Sequence, residues 1–418
     1  MITMKLRPAL ILILASCAWS QTGGEHWVAT WTTPQPLIRP QPAAPRGGAA
    51  PSPTQTIASR GFHKQTVRMI VHTSIGGSKL RIKLASPFGA APVEIGAAHV
   101  ALAGKESEIV AASDRALSFN GKPGCTVGPG MVILSDPVNL TFTAQADLAV
   151  SLYVPGESGP PSSHNGLHTS YVSQEGDFSG APSIADAIAM PAYYWLSGVD
   201  VLAGAKSALI VAYGDSITEG ARSTVNANAM WPAVLSARLA ANRKTAGIAV
   251  ANMGIGGNRV LRDGSGASAL ARFDRDVLSQ SGVRWVILLE GINDIGHGDT
   301  DPVSADGLIG AYKQLIERAH THGIAVIGGT LLPYVGAGYS RPEGEAIREA
   351  VNQWIRTGGA FDAVVDFEAA TRDASDPKRL RSEFDPGDHL HPNDAGYKAM
   401  AGAIDLSVFS AKPARRAK

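Results

Sequence analysis

ALIVAYGDSITEG, residues 208–220, passes from an apolar run into a small polar turn. A near-continuous Ala/Leu/Ile/Val run is what a strand buried on both faces requires, and such strands belong to parallel sheets covered by helices. The same grammar repeats downstream. Strand candidates follow at Ile248–Met253, Trp285–Leu289, Ala325–Thr330 and Ala363–Asp366, with amphipathic stretches between them at Met230–Arg243, Ala305–His320 and Glu345–Arg356. Alternating strands and helices predict an α/β domain with a doubly wound parallel sheet over about 205–412. Ligands in such sheets bind beyond the carboxyl ends of the strands.

The chemically distinctive residues fall at those ends. Gly214-Asp215-Ser216 closes the first strand, where a serine can present its hydroxyl and its own N–H to one space. By itself this cluster reads equally well as a turn. Asn252-Met253-Gly254-Ile255-Gly256-Gly257-Asn258 closes the second strand, and its glycines let backbone N–H groups approach a ligand. A dinucleotide fingerprint would need glycine at 259, where Arg259 stands. Glu290-Gly291-Ile292-Asn293-Asp294 closes the third strand and can aim the Asn293 amide into the cleft or spend it on an Asx turn. Near the end of the domain stands Asp388-His389-Leu390-His391-Pro392-Asn393. Asp388 can hold Nδ1–H of His391 and leave Nε2 facing a nucleophile. The alternative is a loop ahead of a helix capped by Asn393 or Asp394.

Taken in this order, G-D-S, Asn-x-Gly-x-Gly-Gly-Asn, G-x-N-D and D-x-x-H-P resemble the sequence blocks of GDSL-type, or SGNH, esterases. The resemblance covers about residues 207–408 and implies a flavodoxin-like fold. It implies Ser216 as nucleophile, His391 as base and Asp388 as its orienting carboxylate. It also implies an oxyanion hole of the Ser216 N–H, the Gly257 N–H and the Asn293 side-chain amide, with Gly256 as the adjacent alternative to Gly257. No G-x-S-x-G elbow surrounds Ser216, so the α/β-hydrolase fold is the poorer match. Such chemistry needs no metal and no organic cofactor, and no Cys/His cluster has zinc-ligand spacing. Asp215 and Asp294 are expected to brace loops, His297 and His389 are candidate substrate contacts, and Pro333–Tyr339 is expected to line the cleft.

Upstream the period changes to two. Thr66–His72, Lys79–Leu84 and Asp147–Val154 alternate apolar and polar residues, with a turn signal at Ser74–Ser78. These predict an accessory β-sandwich over 22–200, and one precedes the hydrolase domain in some bacterial members of the resembled family. His26–Trp31 is a further strand ahead of a Pro-rich loop at 34–53, which cannot be helical. Trp27, Trp31 and Trp195 are expected in the core rather than on a sugar-stacking face. His168, in a strand-like stretch, has no partner that the sequence names.

The first 20 residues read as an export signal: Lys5 and Arg7, then an apolar run from Ala9 to Ala15, too short to cross a membrane. Cleavage after Ser20 and acylation of Cys17 at a lipoprotein box, giving a lipid anchor, both fit. Either leaves Cys125 without a disulfide partner, and it is expected as a small buried residue. The chain's 418 residues suit two domains, since single cores stop growing near ~250–300 residues. Lys plus Arg number 37 against 36 Asp plus Glu, which offers no electrostatic case for nucleic acid or an anionic membrane surface.

The expectation is therefore an exported, periplasmic or extracellular serine esterase acting through an acyl-enzyme on a small-molecule or polymer-borne ester, such as a short acyl ester of carbohydrate. Two alternatives stay open: a carbohydrate- or surface-binding protein whose hydrolase domain is secondary, and an acyltransferase using the same site.

Overall fold

Strand His63–His72 lies at the centre of the N-terminal half, and its buried residues explain why two sheets close over it. The computed structural model describes residues 24–38, 52–298, 300 and 302–409. The export signal, Cys17 and the middle of the Pro-rich stretch lie outside the described residues. One sandwich sheet runs, by residue range, 25–32, 196–204, 77–85, 132–134, with 138–142 also paired to 77–85. The other runs 188–190, 170–175, 63–72, 147–157, 97–102, 115–116. All of these pairings are antiparallel.

Several details depart from the sequence reading, three of them in the backbone path or the sheet faces. The turn at Ser74–Ser78 does not join neighbours in one sheet. Thr73 N–H donates to Ala146 O and Ser74 N–H to Thr30 O, so the chain crosses there from one sheet to the other. Secondly, the polar face of strand 63–72 is not all in water. Arg68 is fully buried, donating to Ser151 Oγ at 2.8 Å and to the carbonyls of Ser107, Phe178, Ser179 and Ala181. A guanidinium's five donors can close loops over a sheet in this way, and burial lowers its pKa to about 10. Thirdly, a helix begins at the last proline of the Pro-rich stretch. Pro53–Arg60 is helical, with Ser52 and Gln55 forming a capping box and Pro53 in the first turn, where its missing N–H costs nothing. Cys125 is half-buried rather than buried, and free. Trp195 is buried, Trp31 stacks edge-on to Tyr193 at 4.8 Å, and half-buried Trp27 carries the Arg81 guanidinium at 4.4 Å from its ring.

The last sandwich strand runs to Gly204, and the next element starts at Ala208. There begin β1 (Ala208–Gly214), β2 (Ile248–Gly254), β3 (Val283–Leu289), β4 (Ala325–Gly329) and β5 (Ala363–Val365) of the second sheet. Their order is β2-β1-β3-β4-β5 and every pairing is parallel, which is the flavodoxin-like arrangement. Every residue of β1 is buried, as its apolar run predicted. Helices α1 (Ser216–Glu219), α2 (Trp231–Ala240), α3 (Ala305–Thr321), α4 (Pro342–Thr357) and α5 (Asp394–Gly402) connect or flank the strands. The order changes direction at β1, so the rim above β1 and its neighbours is where a ligand site is expected.

Strand β2 is an edge of that sheet, and the sandwich covers it. Ser74 Oγ donates to Val250 O at 2.8 Å and accepts from Val250 N–H at 3.1 Å, replacing a missing strand with one side chain. Ala29 N–H donates to Ser281 O, and Leu37 N–H to Ser265 O. Buried His168, in a loop rather than a strand, has the partner that the sequence did not name: it donates to Asn228 Oδ1 at 2.6 Å. One continuous apolar cluster runs through both halves. Ser74→Ala should therefore lower stability by about 1–3 kcal/mol, the cost of leaving buried backbone groups unpaired, measured by denaturant unfolding; an unchanged midpoint would contradict this account of the edge.

Candidate active site

Three tight contacts build the turn after β1. A Cβ on Gly214 would lie 2.2 Å from Thr218 Oγ1 and 2.3 Å from Leu289 O, so only glycine fits. Asp215 then caps α1, accepting from Ile217 N–H at 2.9 Å. Ser216 is thereby the first residue of a one-turn helix above the sheet, and Gly220 ends that turn at φ +105.

Ser216 Oγ stands 2.8 Å from His391 Nε2. His391 Nδ1 stands 3.0 Å from Asp388 Oδ2, and Asp388 Oδ1 accepts from the N–H groups of Leu390 and His391. The helix-cap alternative is also realised, but by other atoms: Asn393 caps α5, and Asp394 accepts from Thr224 N–H and Oγ1–H. One loop thus serves both needs. Arg222, which the sequence reading missed, donates from Nε to Asp388 Oδ2 at 2.8 Å. Burial alone would raise the Asp388 carboxyl, but the donors from His391, Arg222 and Leu390 hold it well below the ordinary carboxylate range. With Nδ1–H committed to this carboxylate, Nε2 is the ring nitrogen that can accept from Ser216.

Asn293 is buried; its Nδ2 donates to Asn258 O at 3.0 Å and its Oδ1 accepts from Tyr339 Oη at 3.3 Å. That pair fixes which way the amide faces and leaves the second Nδ2 hydrogen. The two neighbouring glycines differ in their surroundings. Gly256 packs against the Glu219 carboxyl, so that a Cβ there would lie 2.8 Å from Oε2. Gly257 sits at φ +70, and among the described residues no hydrogen bond engages its N–H. Asn258 anchors the segment, with its N–H on Ile255 O, its Nδ2 on Ala267 O and its Oδ1 accepting from Arg272.

Below the rim lies a buried charged layer that the sequence did not signal. Arg272, fully buried, donates to Gly214 O, Met253 O and Asn258 Oδ1, and reaches Asp276 and Glu290. It thus ties the ends of β1 and β2 together. Burial and neighbouring Asp215 push the Glu290 carboxyl well up. Burial likewise raises Asp215 to about 7, with Asp294 adding to the shift. Asp215 and Asp294 are loop braces, as expected: Asp294 accepts from the N–H groups of Val260 and Leu261. His297 donates from Nδ1 to Asn293 O and leans on the Tyr339 ring, at the donor side of the site. His389 pairs with Asp385 and packs under Gly336 of the 333–339 loop. Among the described residues no group of three or more His, Cys, Asp or Glu could hold a metal ion.

Glu219, at the other end of α1, meets His164 of the sandwich at 3.4 Å in the wall between the two halves. Burial raises the Glu219 carboxyl to about 8 and lowers the His164 imidazole to about 3, so near neutrality both are uncharged. The raised carboxyl contributes fully below its ordinary 4.5, and that contribution is lost as pH rises towards 8. The lowered imidazole works oppositely, losing its contribution as pH falls from 6.5 towards 3. Wild-type Tm should therefore fall from about pH 5 to pH 8 more steeply than that of Glu219→Gln, which has no proton to lose. Parallel profiles in thermal unfolding would contradict the assignment.

Residues 212–399 match the model of the GDSL-like Lipase/Acylhydrolase family. Similar solved structures include the acetylxylan esterase Axe2 from Geobacillus stearothermophilus, 24% identical with a TM-score of 0.38, covering 50% of this chain and 97% of that one. A lipolytic protein of the G-D-S-L family from Desulfitobacterium hafniense is 24% identical with a TM-score of 0.37, covering 47% of this chain and 97% of that one. LAE5, an enzyme from the metagenome of Lake Arreo, is 22% identical with a TM-score of 0.37, covering 49% of this chain and 96% of that one. No curated protein matches the chain. The C-terminal domain belongs to the GDSL-like lipase/acylhydrolase family, and the protein is a carboxylic ester hydrolase.

Proposed function

We propose that Ser216 hydrolyses carboxylic esters through an acyl-enzyme, with His391 as general base and acid and Asp388 as its orienting partner. The observation that carries this reading is the unbroken line from Ser216 Oγ through His391 to Asp388, at 2.8 Å and 3.0 Å. His391 takes the serine proton as Oγ attacks the ester carbonyl. It returns the proton to the leaving alcohol, then activates the water that releases the acid. Charge on the carbonyl oxygen would be met by the N–H groups of Ser216 and Gly257 and by Asn293 Nδ2, all neutral donors.

The substrate proposed is a short acyl ester of a hydroxyl-rich alcohol, such as acetylated carbohydrate. Its support is the polar rim around His391: Arg222 on Asp388, His389 beside it, and Tyr339 on Asn293. These groups carry polar atoms that can hydrogen-bond to hydroxyls. Export is proposed from the leader-like residues before Ser20. Intact mass of the mature protein from its native host distinguishes cleavage at Ser20 from acylation at Cys17.

Ser216→Ala should abolish hydrolysis of a short-chain aryl ester while leaving the fold intact; undiminished turnover would end the assignment. Asn293→Ala should lower kcat by roughly 10²–10³-fold with little change in KM, because its amide is used mainly in the transition state. A panel of esters with added alcohol acceptors, analysed for products, separates hydrolysis from acyl transfer.

A further inference from the structure

Glu219 stands three residues after the nucleophile. On one side its carboxyl packs against Gly256, where a Cβ would lie 2.8 Å from Oε2. On the other it meets His164 Nε2 of the sandwich at 3.4 Å. His164 is itself fixed. Its two-residue strand, Ser163–His164, pairs with Tyr193–Tyr194, and Tyr193 Oη donates to Ile70 O in the central sandwich strand. A cavity of about 70 Å³ adjoins the pair, lined in part by His72, Thr32 and Asn252.

Gly256 and Gly257 are consecutive glycines, the residue type with the least intrinsic resistance to a peptide flip. Something must hold the peptide that carries the Gly257 N–H. Downstream, Asn258 is pinned by its own hydrogen bonds. Upstream, Ile255 N–H is held by Gly214 O, and Gly256 is backed by the Glu219 carboxyl. We propose that Glu219 is a positioning residue of the oxyanion hole, clamped between Gly256 and the sandwich's His164, so that the N-terminal domain is a working part of the esterase site. This rests on the catalytic reading given above. It assigns the sandwich a role at the chemistry rather than at a distant ligand. Because Glu219 and His164 are both neutral near pH 7, the clamp works by close contact and shape, and a neutral amide can stand in for the acid.

The test uses the full-length protein carrying Glu219→Ala, Glu219→Gln, His164→Ala or Ser216→Ala, with kcat, KM and Tm measured for each on one aryl ester. Glu219→Ala should lower kcat roughly ten-fold or more while KM stays within about two-fold, since the lost donor geometry matters in the transition state. Glu219→Gln should recover most of that loss, its amide filling the same space between Gly256 and His164. His164→Ala should show a smaller fall of the same kind, roughly three-fold or more, in kcat and not in KM. A folded Glu219→Ala with wild-type kcat overturns the proposal, as does a folded Glu219→Gln no better than the alanine variant. If Glu219→Ala does not fold, the other two decide: wild-type kcat in His164→Ala removes the sandwich from the site. An active Ser216→Ala defeats the underlying catalytic reading, whereas an inert one beside a fully active Glu219→Ala defeats this proposal alone.

Discussion

The hydrogen bond between Ser216 Oγ and His391 Nε2 joins a turn after the first strand of the parallel sheet to a loop just before the last helix, 175 residues later. Little else in the site has meaning without it. It is short because both ends are built rigidly. Gly214 lets the serine turn pack against Thr218 and Leu289, and Asp388 collects two backbone N–H groups, the His391 ring and Arg222. Dispersing four donors over one carboxylate keeps it ionised, and an ionised carboxylate orients the imidazole.

Beneath that line the fold spends buried charge on geometry. Arg272 has no exposure, yet it touches the ends of β1 and β2, the Asn258 amide and two carboxylates. Burying a guanidinium is costly unless its donors are used. Here they set the strand ends from which Ser216 and the Gly256–Gly257 segment project. The sandwich adds a second brace. It covers the open edge at β2 through Ser74 and reaches α1 through His164. Bare sheet edges are pairing hazards, so the accessory domain has a structural reason to be where it is, apart from any ligand.

Much of this was legible in the residues. Runs such as Ala208–Tyr213 and Trp285–Leu289 betray strands buried on both faces, and polar or glycine residues at their carboxyl ends mark the rim. Ser216, His391 and Asp388 stand there within hydrogen-bonding distance of one another in turn. The difference between Gly256 and Gly257 was not legible, because the Glu219 contact that marks Gly256 is made only in three dimensions. Arg222, Arg272 and Glu219 were invisible for a related reason: in sequence each is an ordinary charged residue in a polar segment, and only tertiary structure makes it special, by contact with Asp388 for the exposed Arg222 and by burial for the other two. Arg68 misled in the same way, since period-two alternation predicts a wet face and cannot foresee loops folding over it. The helix at Pro53–Arg60 escaped because the proline-rich composition before it outweighed a capping box only a few residues long.

The central claim, that Ser216 is the group that attacks, is tested most directly by trapping it. Wild-type protein treated with an organophosphonate and digested should carry a single phosphonyl adduct on the peptide containing Gly214-Asp215-Ser216, with inactivation proceeding in step with labelling. Complete inactivation with the adduct on another residue, or saturating treatment that leaves ester hydrolysis untouched, would contradict it.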